Sequence, residues 1–267
     1  MKILFIAAHP ADLVDLAGGT IYNHAQVGDE VYTLAVTHGE FSHPPEDVKL
    51  LGSKYKIAEA KEALEMLSVG QDNMTWMNRG DALYLRNDYI SNFPMTLCRD
   101  IAFHIQLVRP DILVTHHPTE MNHPDHGKVG QWTLEAAIAA GRLVDKLHVN
   151  NPKLKPHSVQ NIYFYGYQFR PYMVKLGQNV LAPDVVVDIT EAVKRKALAF
   201  VKLKSQFNTF DVVWERLNSM EKEIGRLYGF EYAESFISLY PARAGLLPWW
   251  GDSDFYSLLK EKAGQTQ

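Results

Sequence analysis

The chain has 267 residues, with 27 Lys and Arg against 31 Asp and Glu, a formal charge of −4 and a single cysteine. That length suits one well-buried domain, or one domain with a modest appendage. The balanced charge excludes an electrostatic nucleic-acid binder, and Cys98 alone excludes an internal disulfide or a thiolate metal cage.

The first element is a strand. Lys2 to Ala8 is a nearly continuous apolar run, as expected for a strand covered on both faces. It is short and ends in His9-Pro10, so it does not read as a signal peptide. Ala17 to Val27 has helical spacing and stops at Gly28, a C-cap signal. Glu30 to Thr37 is a second strand. Ser53 to Leu67 is a helix with Ala60, Leu64 and Leu67 on its apolar stripe. Met74 to Met77 reads as a short strand. Tyr89 to Val108 is mostly helical, with Pro94 tolerable only near its start. Ile112 to Thr115 is a strand, Gly127 to Leu143 a helix, and Asn161 to Tyr165 and Val185 to Ile189 are later strands. Helices follow over Thr190 to Lys204 and Val212 to Tyr228, with Lys194-Arg195-Lys196 read as a solvated helix face. His148 to His157 and Arg170 to Pro183 lack periodicity and read as irregular.

Alternation of strand and helix implies an α/β fold, a mostly parallel sheet with helices on both faces and right-handed crossovers. The expectation is a single domain over 1–267, in which 237–267 forms a C-terminal extension packing on the body or on a partner. Trp249-Trp250 in that extension leaves a homo-oligomer open. No segment approaches the roughly 20 apolar residues of a membrane span. A cytoplasmic protein with a small-molecule substrate, and neither membrane nor nucleic-acid partners, is expected.

In open α/β sheets the ligand site lies beyond the carboxyl ends of the strands. His9 and Asp12 follow the first strand, and His38 and Glu40 the second. His116, His117, His123 and His126 follow the strand ending at Thr115. Their joint placement is the signal. Two imidazoles and one carboxylate around a divalent ion, with one position left for water, form the usual hydrolytic zinc arrangement, and such an ion lowers the pKa of its water to about 7. His9, Asp12 and His126 supply such a set. Asp125 or His123 would then orient or exchange protons with the reacting groups, while His116 and His117 read as supporting or solvated residues. Gly18-Gly19 lacks the rest of a phosphate-binding pattern and reads as close strand–helix packing.

His9-Pro10-x-Asp12, Gly18-Gly19-Thr20, Thr37-His38-Gly39-Glu40, Lys56-x-x-Glu59-Ala60, Pro110-Asp111 and His123-Pro124-Asp125-His126 together resemble the PIG-L/LmbE superfamily of zinc-dependent N-deacetylases. Asp188-Ile189-Thr190, Lys204-Ser205-Gln206 and Tyr232-Ala233-Glu234-Ser235-Phe236 fit it as well. The resemblance implies a Rossmann-like fold and a zinc ion on His9, Asp12 and His126. It also implies a charge relay and oxyanion stabilisation by Asp125 and His123.

The chain departs from that family at Ala11 and at Leu13, where the resemblance would place an Asp and a Glu. The resemblance puts the general base at the residue before the metal-binding Asp, and here that residue is Ala11. General-base catalysis contributes about 10²- to 10⁴-fold, so another carboxylate has to serve, and Glu40 and Asp15 are the candidates. The 4-oxalomesaconate hydratases of the same superfamily resemble this chain in carrying Ala there, and the carboxylate matching Glu40 is implicated in their chemistry. Tyr167 stands where those hydratases have a His. Tyr167, Arg170 and Lys56 are the expected substrate-binding residues, with Arg79 a further cation for an anionic substrate. The leading expectation is a zinc hydrolase of an N-acyl bond on a small polar or sugar-like substrate. The alternatives are a zinc hydratase or lyase acting on an unsaturated carboxylate, and a non-catalytic metal or ligand-binding protein.

Overall fold

In the computed structural model, residues 1–39, 52–79, 94–120, 123–142, 154–166, 183–206 and 209–240 are described. The elements run β1 (Lys2–Ala7), α1 (Asp12–Gln26), β2 (Glu30–Thr37), α2 (Gly52–Met66), a 3₁₀ turn (Gln71–Asn73), β3 (Met74–Arg79), α3 (Pro94–Val108), β4 (Ile112–Thr115), α4 (Pro124–Ala140) and β5 (Asn161–Tyr165). Then come β6 (Val185–Asp188), α5 (Val193–Lys202), α6 (Phe210–Ser219), α7 (Glu221–Tyr228) and β7 (Ala233–Ser238). They build one seven-stranded sheet in the order β3-β2-β1-β4-β5-β7-β6. β1 to β5 pair in parallel, and β7 is antiparallel to both of its neighbours.

The apolar run of β1 explains the layering. Ile3, Phe5 and Ala7 enter one core cluster, with residues of α1, α2, α5 and α6. Leu4, Ile6 and Ala8 enter the other, with α3 and α4. Alternate side chains of a strand point to opposite faces, so a strand with a core on each side has no polar positions to spare. Gly19 of α1 approaches the residue after β6 so closely that a Cβ there would lie 2.6 Å from Ile189 Cβ. The glycine pair therefore serves close packing, as its sequence context implies.

Several boundaries differ from the sequence expectation. α1 starts at Asp12, not Ala17, and α4 at Pro124, not Gly127. The first turns of both helices hold polar site residues, so apolar periodicity does not report them. The helix expected over Val212 to Tyr228 is two helices that break at Met220, where φ is −126° and ψ −73°. β7 was not anticipated as a strand, because buried Glu234 and Ser235 interrupt its apolar pattern.

The solvated face assigned to Lys194-Arg195-Lys196 is corrected at Lys196, whose side chain is completely buried. Its Nζ donates to Glu221 Oε1, Glu234 Oε1 and the Asp15 carbonyl, each at 2.7 Å. Glu234 in turn accepts the backbone N–H groups of Gly19 and Thr20, both at 2.8 Å. A buried ammonium is tolerated because these oxygens replace its water. No helix among the described residues is long and apolar enough to cross a membrane.

Candidate metal centre

Two helix N-termini converge above the carboxyl ends of β1 and β4. α1 opens at Asp12, whose carboxylate Oδ2 accepts the His9 N–H at 2.8 Å. α4 opens with His123 as N-cap, its Nδ1 accepting the Asp125 N–H at 3.2 Å, and with Pro124 in the first turn. Pro is preorganised for that place and lacks the N–H that would be orphaned there. The sequence His-Pro-Asp-His is thus a helix start, and it aims Asp125 and His126 from the first turn toward α1.

Three imidazole nitrogens surround one oxygen, Asp12 Oδ2: His9 Nδ1 at 3.1 Å, His126 Nε2 at 3.3 Å and His116 Nε2 at 3.4 Å. Two triplets have ligand atoms all within 4.8 Å of one another, His9–His123–His126 and Asp12–His116–His126. His116 is fully buried, and its Nε2 already accepts the Ala8 N–H at 3.0 Å. That bond uses the lone pair a metal would need, so His116 acts as support. His117 packs against Phe164, and its Nδ1 accepts the Thr119 N–H.

The far nitrogens of the two remaining rings also meet carboxylates. His9 Nε2 lies 3.2 Å from Asp125 Oδ2, and His126 Nδ1 lies 2.6 Å from Glu120 Oε1. Burial alone would depress the His9 pKa, but Asp12 and Asp125 raise it to about 9. His126 is raised to about 10, against burial, by Asp12 and Glu120. Burial opposes ionisation of Asp12, yet the cationic His126 and His9 hold it well below the usual carboxylate range. His123 is lowered by burial and by repulsion from His9 and His126. Metal-free, the centre therefore holds imidazolium on His9 and His126 and a neutral His123.

Of the residues expected at the site, His9, Asp12, His123, Asp125 and His126 come together. Asp125 is fully buried and closer to His9 than to His123, whose Nδ1 is 4.0 Å away. Lys56 is buried and lines a narrow cleft with His9, Pro10 and Ala11. Glu59 in that cleft accepts the Ser205 N–H at 3.0 Å, which joins two motif pieces far apart in sequence. Asp15, a candidate substitute base, is instead paired with Arg216. Glu40, Tyr167, Arg170, Trp249 and Trp250 lie outside the described residues. Glu120 was not among the expected site residues. Its only signal is its position between His116 and His126 on the loop after β4.

Strand order, helix-borne carboxylates and clustered imidazoles define an α/β protein with a candidate metal centre at the carboxyl edge of the sheet. The family model described as PIG-L, GlcNAc-PI de-N-acetylase, matches residues 4–137, and the chain belongs to that family. It is 27% identical over 242 residues to the diacetylchitobiose deacetylase of Thermococcus kodakarensis, spanning 87% of this chain and 81% of that protein. It is 23% identical to the 4-oxalmesaconate hydratase of Pseudomonas putida, over 89% of each. Among solved structures, the N,N'-diacetylchitobiose deacetylase of Pyrococcus horikoshii shares the fold with a TM-score of 0.71 at 24% identity, covering 89% of this chain and 83% of that one. The 4-carboxy-2-hydroxymuconate hydratase of Pseudomonas putida shares it with a TM-score of 0.72 at 21% identity, covering 92% and 99%.

Proposed function

We propose that this chain is a zinc-dependent N-deacetylase acting on a small, polar, sugar-like substrate, with His9, Asp12 and His126 as the metal ligands. The observation that carries this reading is the convergence of His9 Nδ1 and His126 Nε2 on Asp12 Oδ2 at 3.1 and 3.3 Å. Donors about 2.1 Å from a tetrahedral zinc stand roughly 3.4 Å apart, so the two contacts to Asp12 are close to the length of tetrahedral edges. The deacetylase relative that spans most of the chain supports the reaction type.

Zinc, when bound, supplies Lewis acidity toward the acyl oxygen and acidifies water to a pKa of about 7. The rest falls to the protein. His123 accepts the Asp125 N–H on Nδ1, so its neutral ring carries the proton on Nε2. Its side chain is 39% exposed, which leaves the ring accessible to substrate. A donor there stabilises negative charge developing on a substrate oxygen. Asp125 fixes the His9 ring through Nε2. Lys56 meets a polar substrate group from the cleft, and Tyr167 and Arg170 are assigned to substrate binding from the sequence alone.

Ala11 offers only a methyl group, and Asp15 is held by Arg216. Glu40 is therefore the carboxylate assigned to take the proton. The test is acetate release from diacetylchitobiose and related N-acetyl sugars by zinc-loaded protein. Glu40→Gln is expected to slow release about 10²- to 10⁴-fold. Unchanged release in that variant would remove Glu40 from the mechanism.

Ala11, with the similarity to a hydratase along 89% of the chain, favours one second reading: zinc-dependent hydration of a small unsaturated carboxylate. Loss of ultraviolet absorbance from an unsaturated dicarboxylate, with no acid released from any N-acetyl substrate, would replace the first reading by this one.

A further inference from the structure

We propose that Glu120 is the positioning residue of the metal centre, a single carboxylate that fixes the tautomer of His126 and ties together the two loops that carry the ligands. The inference rests on the metal site proposed above.

An imidazole bound to a metal through one nitrogen carries a proton on the other, and that N–H needs an acceptor. His126 turns Nε2 toward Asp12 and Nδ1 toward Glu120 Oε1, at 3.3 and 2.6 Å. The Glu120 side chain is only 11% exposed, so its charge is poorly screened and its hold on the ring is strong.

The other oxygen leads to the β1–α1 loop through His116. Glu120 Oε2 lies 3.4 Å from His116 Nδ1. Since His116 Nε2 accepts the Ala8 N–H, the neutral ring bears its proton on Nδ1 and donates to Glu120. Ala8 directly precedes His9. The chain of contacts therefore runs from His126 through Glu120 and His116 to the backbone that presents His9. The His116 and His126 rings stack at 4.0 Å with 24° between their planes, so the carboxylate faces both at once.

The backbone is shaped to deliver Glu120. Its N–H donates to the His117 carbonyl at 3.0 Å, closing a turn. That turn presses on α4 where a Cβ at Gly127 would lie 2.6 Å from the Glu120 carbonyl oxygen. At Gly130 a Cβ would lie 2.3 Å from the His116 carbonyl oxygen. Both glycines admit the loop against the helix, and the loop carries Glu120 to the ring made available by the first helical turn.

The experiment is zinc binding by the full chain in competition with a chelator, alongside visible spectra of the cobalt-loaded protein. Partners of this kind typically contribute 10- to 100-fold in metal affinity. Glu120→Gln is expected to weaken zinc binding about 10-fold, Glu120→Ala up to about 100-fold, and both are expected to shift the cobalt spectrum. Equal affinity and an unchanged spectrum in Glu120→Gln would overturn the proposal. So would weaker binding with an unchanged spectrum and a matching loss of metal-free stability, which marks a merely structural role. Wild-type protein that binds no zinc would sink the metal site itself, a distinguishable result. Proton NMR of zinc-loaded wild type needs no variant: a slowly exchanging downfield proton on His126 Nδ1 is expected, and a proton on Nε2 would refute the assignment.

Discussion

Lys196→Met removes the buried ammonium while keeping a flexible apolar stem of similar length. The stem matters locally, because a Cβ at Gly18 would lie 3.2 Å from Lys196 Cγ. What is lost is the charge and three bonds of 2.7 Å. Glu221 and Glu234 are then left buried, only 6% and 3% exposed, without their cation. Glu221 already has its pKa raised by burial, with Lys196 the main influence holding it down. Breaking a buried pair on one side costs about 3–5 kcal/mol. At roughly 2–4 °C per kcal/mol for a chain of this size, the melting temperature should fall by about 6–20 °C. Urea and thermal unfolding of the metal-free protein, followed by circular dichroism, measure it. The same substitution in a Glu221→Gln background should cost at least about 0.5 kcal/mol less, because one stranded charge is gone. A loss below about 1 kcal/mol, or strict additivity with Glu221→Gln, would refute the view that this cluster holds α1, α5 and β7 together by charge.

Two other outcomes concern the metal centre. His9 and His126 have folded-state pKa values of about 9 and about 10, above the unfolded value near 6.5. Their contribution is present in full below about pH 6.5 and is lost as pH rises through 9 and 10. The urea midpoint of metal-free protein should therefore fall across that window, and zinc binding at pH 7 should release about two protons, as measured by calorimetry in buffers of different ionisation enthalpy. A flat midpoint, or no proton release, would contradict the charged rings. Gly130→Ala forces a Cβ to 2.3 Å from the His116 carbonyl oxygen, where the contact is backbone and cannot swing aside. It should destabilise the fold by about 1–3 kcal/mol and weaken zinc binding by displacing His116 and Glu120, and wild-type values for both would show that the loop is not held there.

The paired His-Pro motifs, the first strand and the mostly parallel order were legible in the sequence for related reasons. Lys2 to Ala8 is buried on both faces, so each side chain reports the sheet directly. His9 and Asp12 stand just beyond the end of β1 and His126 opens the helix that follows β4, on the side of the sheet where chain order alone brings loops together. Glu120 was not legible: an acid in a polar loop looks solvated until α4 and its glycines bring it onto His126. The second carboxylate at the centre, Asp125, was assigned to His123, and the fold sets it closer to His9.

By itself, then, the sequence determined the α/β class and the family, because burial pattern and motif spacing are local properties of the chain. Tertiary structure decided the partners. Lys196 reads as one cation in a basic run, and only folding brings Glu221 and Glu234, 25 and 38 residues further on, within 2.7 Å of it. His126 likewise reads as one metal ligand, while the fold decides which of its nitrogens faces Asp12 and which faces Glu120. Charges and ring nitrogens act through distances of about 3 Å, and those distances are fixed by packing between elements that the sequence alone does not bring together.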